Sequence, residues 1–294
     1  MTNRIDNRLA EQPLFEGEAA MLDALIASHP ETQSAARSLQ RDGFAVVDFG
    51  FDPALIEAAC AYTSDNMGEA ERIQDAWLVN DVVESLATHP AVLDLLGRLY
   101  GRRAIPFQTL NFKFGTEQRT HSDTYHFNSA PERFMCGVWI ALEDIQPGSG
   151  PLHYFSGSHK LPVYQRHDLS GAQDYAAYED FVAAKMEAHG FERSNAMLKA
   201  GQALIWSANL FRGGDPRTAA GMTRCSQVTH YFFENCAFYT PLASDAAREK
   251  YFVRELYDIA AKRFVMSNRA ELPGRPSLKQ RLYQRYQIMA KRLP

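Results

Sequence analysis

Cysteines are few in this chain and long apolar runs are absent, which narrows the class of protein. The four cysteines, Cys60, Cys136, Cys225 and Cys236, have no C-x-x-C spacing. They indicate no disulfide framework, and a reducing cytoplasm is the expected compartment. No apolar run reaches ~18 residues, so no membrane span is expected. The first twenty residues lack an apolar signal-peptide core, so we do not expect them to be a signal peptide.

Neither sign of charge is in large excess. The sequence has neither internal repeats nor low-complexity segments. The net charge of -4 predicts neither a nucleic-acid nor a membrane partner. With 294 residues, 46% of them hydrophobic, we expect a single domain over 1–294. N-terminal helices and the first strands would cover 1–103, a core would cover 104–233 with a helical insertion near 165–195, and C-terminal helices would cover 234–294.

Apolar periodicity predicts helices towards both ends and short strands between them. Helices are predicted over 17–40, from Asp52-Pro53 onwards, and over 82–100, 173–190, 245–264 and 277–291. Strands are predicted over 44–49, 105–114, 134–142, 152–155, 203–206 and 223–233. Because no parallel βαβ alternation is present, we expect an all-β core with flanking helices (α+β), built as a double-stranded β-helix, the jelly-roll or cupin-like barrel.

His121-Ser122-Asp123 follows a strand and a turn. In an extended segment, side chains two residues apart point to the same face, so His121 and Asp123 can both face a barrel interior. An imidazole and a carboxylate are two thirds of the 2-His-1-carboxylate triad that holds non-haem Fe(II). The His-x-Asp motif alone is weak evidence for a metal site, and the motifs around it strengthen that interpretation.

Arg224-Cys225-Ser226 is a second pair of polar residues on one strand face. The strand that follows is apolar, which is a poor environment for a surface ion pair. An inward-facing Arg224 with Ser226 beside it can hold a carboxylate through bidentate and hydroxyl hydrogen bonds.

Several sequence motifs occur in this chain in the order that a known family has. The region from about Asp42 to Phe233 resembles the phytanoyl-CoA dioxygenase family of Fe(II)/2-oxoglutarate oxygenases. The motifs that carry the resemblance are Arg41-Asp42-Gly43-Phe44, His121-Ser122-Asp123, Trp139-Ile140-Ala141-Leu142-Glu143-Asp144, Gly157-Ser158-His159-Lys160, Gly213-Gly214-Asp215-Pro216 and Arg224-Cys225-Ser226.

The resemblance implies a role for each of these polar side chains. His121 and Asp123 would be metal ligands, and Arg224 with Ser226 would bind the distal carboxylate of 2-oxoglutarate. Trp139 would line the cosubstrate pocket. The implied cofactors are Fe(II) and 2-oxoglutarate, and the implied partner is a small-molecule substrate of unknown identity. The sequence leaves the oligomeric state open.

Arg212 stands where the family has its distal histidine ligand, directly before the Gly-Gly turn. A guanidinium stays protonated, offers no lone pair and repels a divalent cation, so iron binding is expected to be weak or absent. Three interpretations follow. The chain is a binding protein without the iron, or another histidine completes the triad, or the chain is an active enzyme altered at this position.

Three histidines are candidates for that replacement. His126 follows Asp123 closely, His153 lies near a later turn, and His230 lies on the strand face of Arg224. His230 is six residues, roughly 20 Å, beyond Arg224 along the strand.

Two functional hypotheses therefore stand. The first is a dioxygenase of hydroxylase type acting on a small organic substrate, with activity impaired by the missing ligand. The second is a non-catalytic module that keeps the 2-oxoglutarate pocket. A sugar-binding jelly roll is less favoured because it leaves the His-x-Asp and Arg-x-Ser pairs unexplained. The 160–200 insertion is expected to form a lid.

Overall fold

Twenty helices and strands are arranged along the part of the chain that the computed structural model describes, which is residues 11–169, 174–268, 272 and 278–290. The helices are α1 (Ala19–Ser28), α2 (Gln33–Asp42), α3 (Pro53–Asn66), α4 (Asp81–Ala87), α5 (Pro90–Tyr100), α6 (Tyr175–His189) and α7 (Leu278–Ala290). The strands are β1 (Phe44–Asp48), β2 (Ile73–Gln74), β3 (Ala104–Phe112), β4 (Asn128–Ala130), β5 (Met135–Ala141), β6 (Leu152–Phe155), β7 (Arg193–Asn195), β8 (Gln202–Ser207), β9 (Arg212–Gly214), β10 (Ser226–Phe233), β11 (Ala237–Tyr239), β12 (Glu255–Asp258) and β13 (Arg263–Met266).

Antiparallel pairing organises these strands into two main sheets. The larger sheet has the order β1-β8-β5-β10-β3-β2, and the smaller has the order β7-β6-β9. Two further pairs, β11 with β4 and β12 with β13, stand apart from them. The expected antiparallel α+β architecture is confirmed. A closed barrel is not seen, because no strand pairing joins the two sheets within the described ranges.

Each face of the larger sheet carries its own apolar cluster, as strand alternation requires. On the outer face, Val138 and Ile205 pack with α1, α2 and α5 residues such as Leu39 and Leu96. On the inner face, Trp139, Leu204, Trp206 and Val228 pack with Leu152 of the smaller sheet. The two sheets therefore share a buried layer, and the polar residues of interest lie within it.

The helix boundaries follow from capping residues. Asp52 accepts a hydrogen bond from the Ala54 N–H at 2.9 Å and Pro53 opens α3, as its sequence predicts. Asp174 caps α6 in the same way through the Ala177 N–H. Helix α6 lies within the range 173–190 where a helix is predicted, and its residues Val182 and Met186 are buried beside the smaller sheet.

The expected helix over 245–264 is wrong. The region 234–294 contains β11, β12 and β13 with short 3-10 turns, and only α7 is a longer helix among its described residues. All four residues of β12 are buried, because β12 packs beside β3 while Glu255 accepts hydrogen bonds from Arg281 and Arg285 of α7. Tertiary burial overrides helical propensity here. None of the described helices is long and apolar enough to cross a membrane.

Candidate active site

The segment that carries His121 lies against β9 at the inner layer. The His121 N–H donates to the Arg212 carbonyl at 2.9 Å, and the Arg212 N–H donates back to the His121 carbonyl at 3.0 Å. Ser122 is fixed from the other side, since its N–H donates to the Tyr178 hydroxyl at 2.9 Å. Helix α6 and β9 together therefore place His121, Asp123 and Arg212 in one cluster.

The Asp123 carboxylate has a strong hydrogen-bond donor on each oxygen. Arg212 Nη2 lies 2.6 Å from Oδ1, and Trp206 Nε1 lies 2.7 Å from Oδ2. The Arg212 guanidinium also stacks on the Trp206 ring, 3.9 Å from its centroid. Burial, the largest single effect, would raise the pKa of Asp123, but the charges of Arg212, His230 and His121 and the hydrogen bond from Arg212 together outweigh it and hold that pKa well below its usual range. Asp123 is thus an anion paired with Arg212 inside the protein.

Two imidazoles approach the same carboxylate. His121 Nε2 lies 3.8 Å from Asp123 Oδ1, and His230 Nε2 lies 3.7 Å from Oδ2. His121 Nδ1 is 2.9 Å from the Arg119 carbonyl and His230 Nδ1 is 3.1 Å from the Gln108 amide oxygen, and both partners can only accept. Each Nδ1 therefore carries the proton, and each Nε2 lone pair is free. Burial, with the charge of Arg212, lowers the pKa of His121 to about 3, and burial lowers that of His230 to about 4.

The other candidate histidines have different surroundings. His153 is held by Asp215, 2.7 Å from its Nδ1, and by the Thr120 hydroxyl, 2.9 Å from its Nε2. Its two ring nitrogens are therefore already in use. His126 lines the same cavity as the cluster, and burial lowers its pKa.

A cavity of about 300 Å³ extends from this cluster along β10. Arg224, which is 1% exposed, lies in its wall with Trp139. Arg224 Nη1 donates to the Gly150 carbonyl at 3.1 Å, whereas its Nε has no partner among the described residues. Burial, with the charge of Arg212, lowers the pKa of Arg224 to about 10, which leaves it cationic at neutral pH.

Two more polar atoms near the cavity lack hydrogen-bond partners among the described residues. They are Trp139 Nε1 and the hydroxyl of Ser226, which alternation places on the strand face of Val228 although Ser226 is absent from the cavity wall. Buried donors without partners each cost about 1–3 kcal/mol unless a ligand uses them. This end of the cavity therefore fits a carboxylate such as that of 2-oxoglutarate.

The other end of the cavity, next to His121 and Asp123, does not fit Fe(II). No three His, Cys, Asp or Glu side chains gather at metal-binding distance in the described ranges. The carboxylate oxygen that would bind the metal, Asp123 Oδ1, instead accepts a hydrogen bond from the Arg212 guanidinium. The residues present therefore do not hold Fe(II) as arranged here.

Two residues of the cluster carry no motif that would have found them in the sequence. Trp206 lies in a run of apolar strand residues, yet its indole supports both Asp123 and Arg212. Gly137 lies opposite Trp206 in the sheet, and a Cβ there would collide with the indole. Neither contact is visible from spacing, because both join separate strands.

Comparison with known families defines the class of protein. The family model described as phytanoyl-CoA dioxygenase matches residues 39–225, which is more than half of the chain. The chain therefore belongs to the phytanoyl-CoA dioxygenase family, as its motifs predict. This is a family of Fe(II)/2-oxoglutarate oxygenases that act on small molecules. No curated protein matches the sequence.

Solved structures with this fold are numerous, although their sequences are distant. The epimerase SnoN, determined in complex with Fe³⁺, α-ketoglutarate and nogalamycin RO, has 22% identity and a TM-score of 0.57, covering 79% of this chain and 90% of its own. EctD from S. alaskensis, with 2-oxoglutarate and 5-hydroxyectoine, has 19% identity and a TM-score of 0.55, covering 70% and 76%. The monooxygenase ThoJ has 18% identity and a TM-score of 0.53, covering 87% and 94%. At these identities the likeness shows the fold alone.

Proposed function

We propose that this chain binds 2-oxoglutarate through Arg224 and that Arg212 excludes Fe(II) from Asp123. The chain would then be a member of an oxygenase family whose own oxygenation is impaired. The observation that carries this proposal is the buried ion pair between Arg212 Nη2 and Asp123 Oδ1, 2.6 Å apart. It puts a fixed positive charge where the family resemblance expects a metal ion.

The 2-oxoglutarate part of the proposal rests on the other end of the cavity. Arg224 is a buried cation without a carboxylate partner among the described residues, and its Nε and the Trp139 Nε1 are unused donors. We assign to the Ser226 hydroxyl a supporting hydrogen bond to the ligand, because Ser226 lies on the same strand face as Val228. We expect the ligand to accept these hydrogen bonds, because a buried cation is stable only when its donors are used.

Calorimetry tests the binding step directly. In the presence of EDTA, 2-oxoglutarate should bind the unaltered chain. Arg224→Gln should weaken binding about 10- to 100-fold, because a charge-assisted contact is lost. Arg217→Gln is the matched control, since Arg217 is exposed and pairs with Glu117. Equal affinity of Arg224→Gln and the unaltered chain would defeat the assignment.

Anaerobic Fe(II) titration tests the second step. The unaltered chain should not retain stoichiometric iron after dialysis, with or without 2-oxoglutarate. Succinate formation from 2-oxoglutarate in air should stay at background. Retained iron with succinate formation would show that the chain keeps the family activity.

That activity is the second candidate function, and His230 favours it. The free Nε2 atoms of His121 and His230 lie 3.8 and 3.7 Å from the two oxygens of Asp123, so a departure of Arg212 with a rearrangement of these side chains would bring two imidazoles and one carboxylate to one metal ion. If the unaltered chain holds iron and His230→Gln loses it, this candidate replaces the first. The substrate would be a small organic molecule in either case, with Tyr175 of α6 in the cavity wall where the insertion covers it.

We extend the proposal to the domain organisation, with the whole chain as one domain around this cavity. Contacts between the C-terminal part and the larger sheet support this. The Ile259 N–H donates to the Pro106 carbonyl at 2.9 Å, and Arg103 Nη1 lies 2.8 Å from Asp258 Oδ2.

A further inference from the structure

Two of the guanidiniums that line the cavity are buried, and each makes only one of its possible side-chain hydrogen bonds to the described residues. Arg224 donates to the Gly150 carbonyl, and Arg212 donates to Asp123. The Nε atoms of both are buried and unpartnered. A guanidinium has five N–H donors, so both residues have donors left for a ligand.

The charges of the cavity wall favour a dianion. The wall contains three guanidiniums, from the exposed Arg72 and the buried Arg212 and Arg224, and one carboxylate, that of Asp123, which leaves a formal charge of +2. A dicarboxylate would neutralise this charge without any metal ion. A divalent cation added beside Arg212 would instead increase the positive charge next to two buried guanidiniums, and like charges repel more strongly where burial lowers the effective dielectric constant.

We propose that Arg212 is an anion-binding residue that takes the place of the metal, so that the cavity is a metal-independent receptor for short dicarboxylates. One carboxylate would lie on Arg224 and the other on Arg212, which stays fixed by Asp123 and Trp206. This inference rests on the proposed function, because it shares the Arg224 end with it. It differs from the proposed function in the class of ligand. Without a metal to chelate, the 2-oxo group adds nothing specific to the affinity, so other short dicarboxylates should bind as well.

Three ligands of equal chain length separate this arrangement from a chelating one. In EDTA, glutarate and 2-oxoglutarate should bind the unaltered chain within about threefold of each other. Pentanoate, with one carboxylate, should bind at least about tenfold more weakly, because one charge-assisted contact is missing. Adding Mn(II) under anaerobic conditions should leave the 2-oxoglutarate affinity unchanged. A strict need for metal, or a large preference for the 2-oxo acid, would overturn the inference.

Variants at the two arginines then separate this inference from the proposed function. Arg212→Gln should lower glutarate affinity to that of pentanoate, about tenfold or more, and leave pentanoate unchanged. Arg212→Lys, which keeps the charge, should restore part of the glutarate affinity. Thermal unfolding of each variant shows whether it is folded at the assay temperature, and Arg212→Lys serves as the test if Arg212→Gln is not.

The outcomes point to different conclusions. If Arg224→Gln weakens binding but neither Arg212 variant changes the preference for glutarate over pentanoate, Arg212 is no anion-binding residue and the proposed function stands alone. If Arg224→Gln leaves all three affinities unchanged, the proposed function fails as well.

Discussion

Arg212 and Asp123 form a buried ion pair, with Nη2 2.6 Å from Oδ1 and side chains 9% and 6% exposed. Both ends of the pair have further support, since Trp206 donates to the second oxygen of Asp123 and stacks under the guanidinium. Removing one member of such a pair leaves an uncompensated charge, and this decides how variants should behave.

A double-mutant cycle measures the pair. Arg212→Gln and Asp123→Asn should each cost about 3–5 kcal/mol in the free energy of unfolding, because each leaves its partner buried and unpaired. The double variant should cost less than the sum by about 1.5–3 kcal/mol. The control cycle is Arg217 with Glu117, whose side chains are both 44% exposed, and its coupling should stay under about 1 kcal/mol. Equal coupling energies in the two cycles, from urea unfolding, would contradict the buried pair.

Arg212→His should increase iron affinity. The substitution adds an imidazole donor beside His121 and removes a like charge, so we expect a gain of at least about tenfold, or 1.4 kcal/mol. Anaerobic Fe(II) titration measures it, and succinate formation from 2-oxoglutarate should rise above background. Arg217→His is the control and should change neither. A variant that takes up iron but forms no succinate would show that more than one residue has changed the site.

Gly137→Ala should disturb the site from the neighbouring strand. The added Cβ collides with the Trp206 indole, so we expect a loss of about 1–3 kcal/mol in unfolding free energy and weaker 2-oxoglutarate binding. Gly97→Ala is the matched control, because its Cβ would meet only the Arg102 carbonyl at 3.9 Å within a helix. That variant should be neutral or more stable by about 0.5–1 kcal/mol. Equal stability of the two variants would mean that Trp206 moves freely.

Stability should fall on acidification between about pH 6.5 and pH 3. Burial lowers the folded-state pKa of His121 to about 3 and of His230 to about 4, whereas an unfolded histidine titrates near 6.5. The unfolded state therefore binds more protons than the folded state in this window. The contribution of the two neutral histidines to the free energy of unfolding is complete above the window and is lost as the pH falls through it. Each histidine should cost about 2 kcal/mol between pH 7 and pH 5.

Urea unfolding at the two pH values checks this. His230→Gln should reduce the difference in unfolding free energy between pH 7 and pH 5 by about 2 kcal/mol, since glutamine does not titrate. His167→Gln, at a half-exposed side chain, is the control. An unchanged difference in His230→Gln would show that this imidazole is accessible to protons in the folded state.

Local patterns predicted much of the fold because they depend on neighbouring residues. The Asp52-Pro53 cap begins α3, and the apolar alternation before Phe112 forms β3. The helix expected over 245–264 was wrong, because burial of β12 between α7 and β3 depends on contacts that sequence periodicity does not record.

The sequence by itself determined the family, through motifs whose order needs no coordinates, and it predicts that Arg212 stands in place of the family's histidine ligand. Only the tertiary structure decided what Arg212 does. The ion pair with Asp123, the indole of Trp206 and the free Nε2 of His230 join segments 83 to 107 residues apart in the chain. Such contacts are set by strand register and packing, and local sequence carries no record of them.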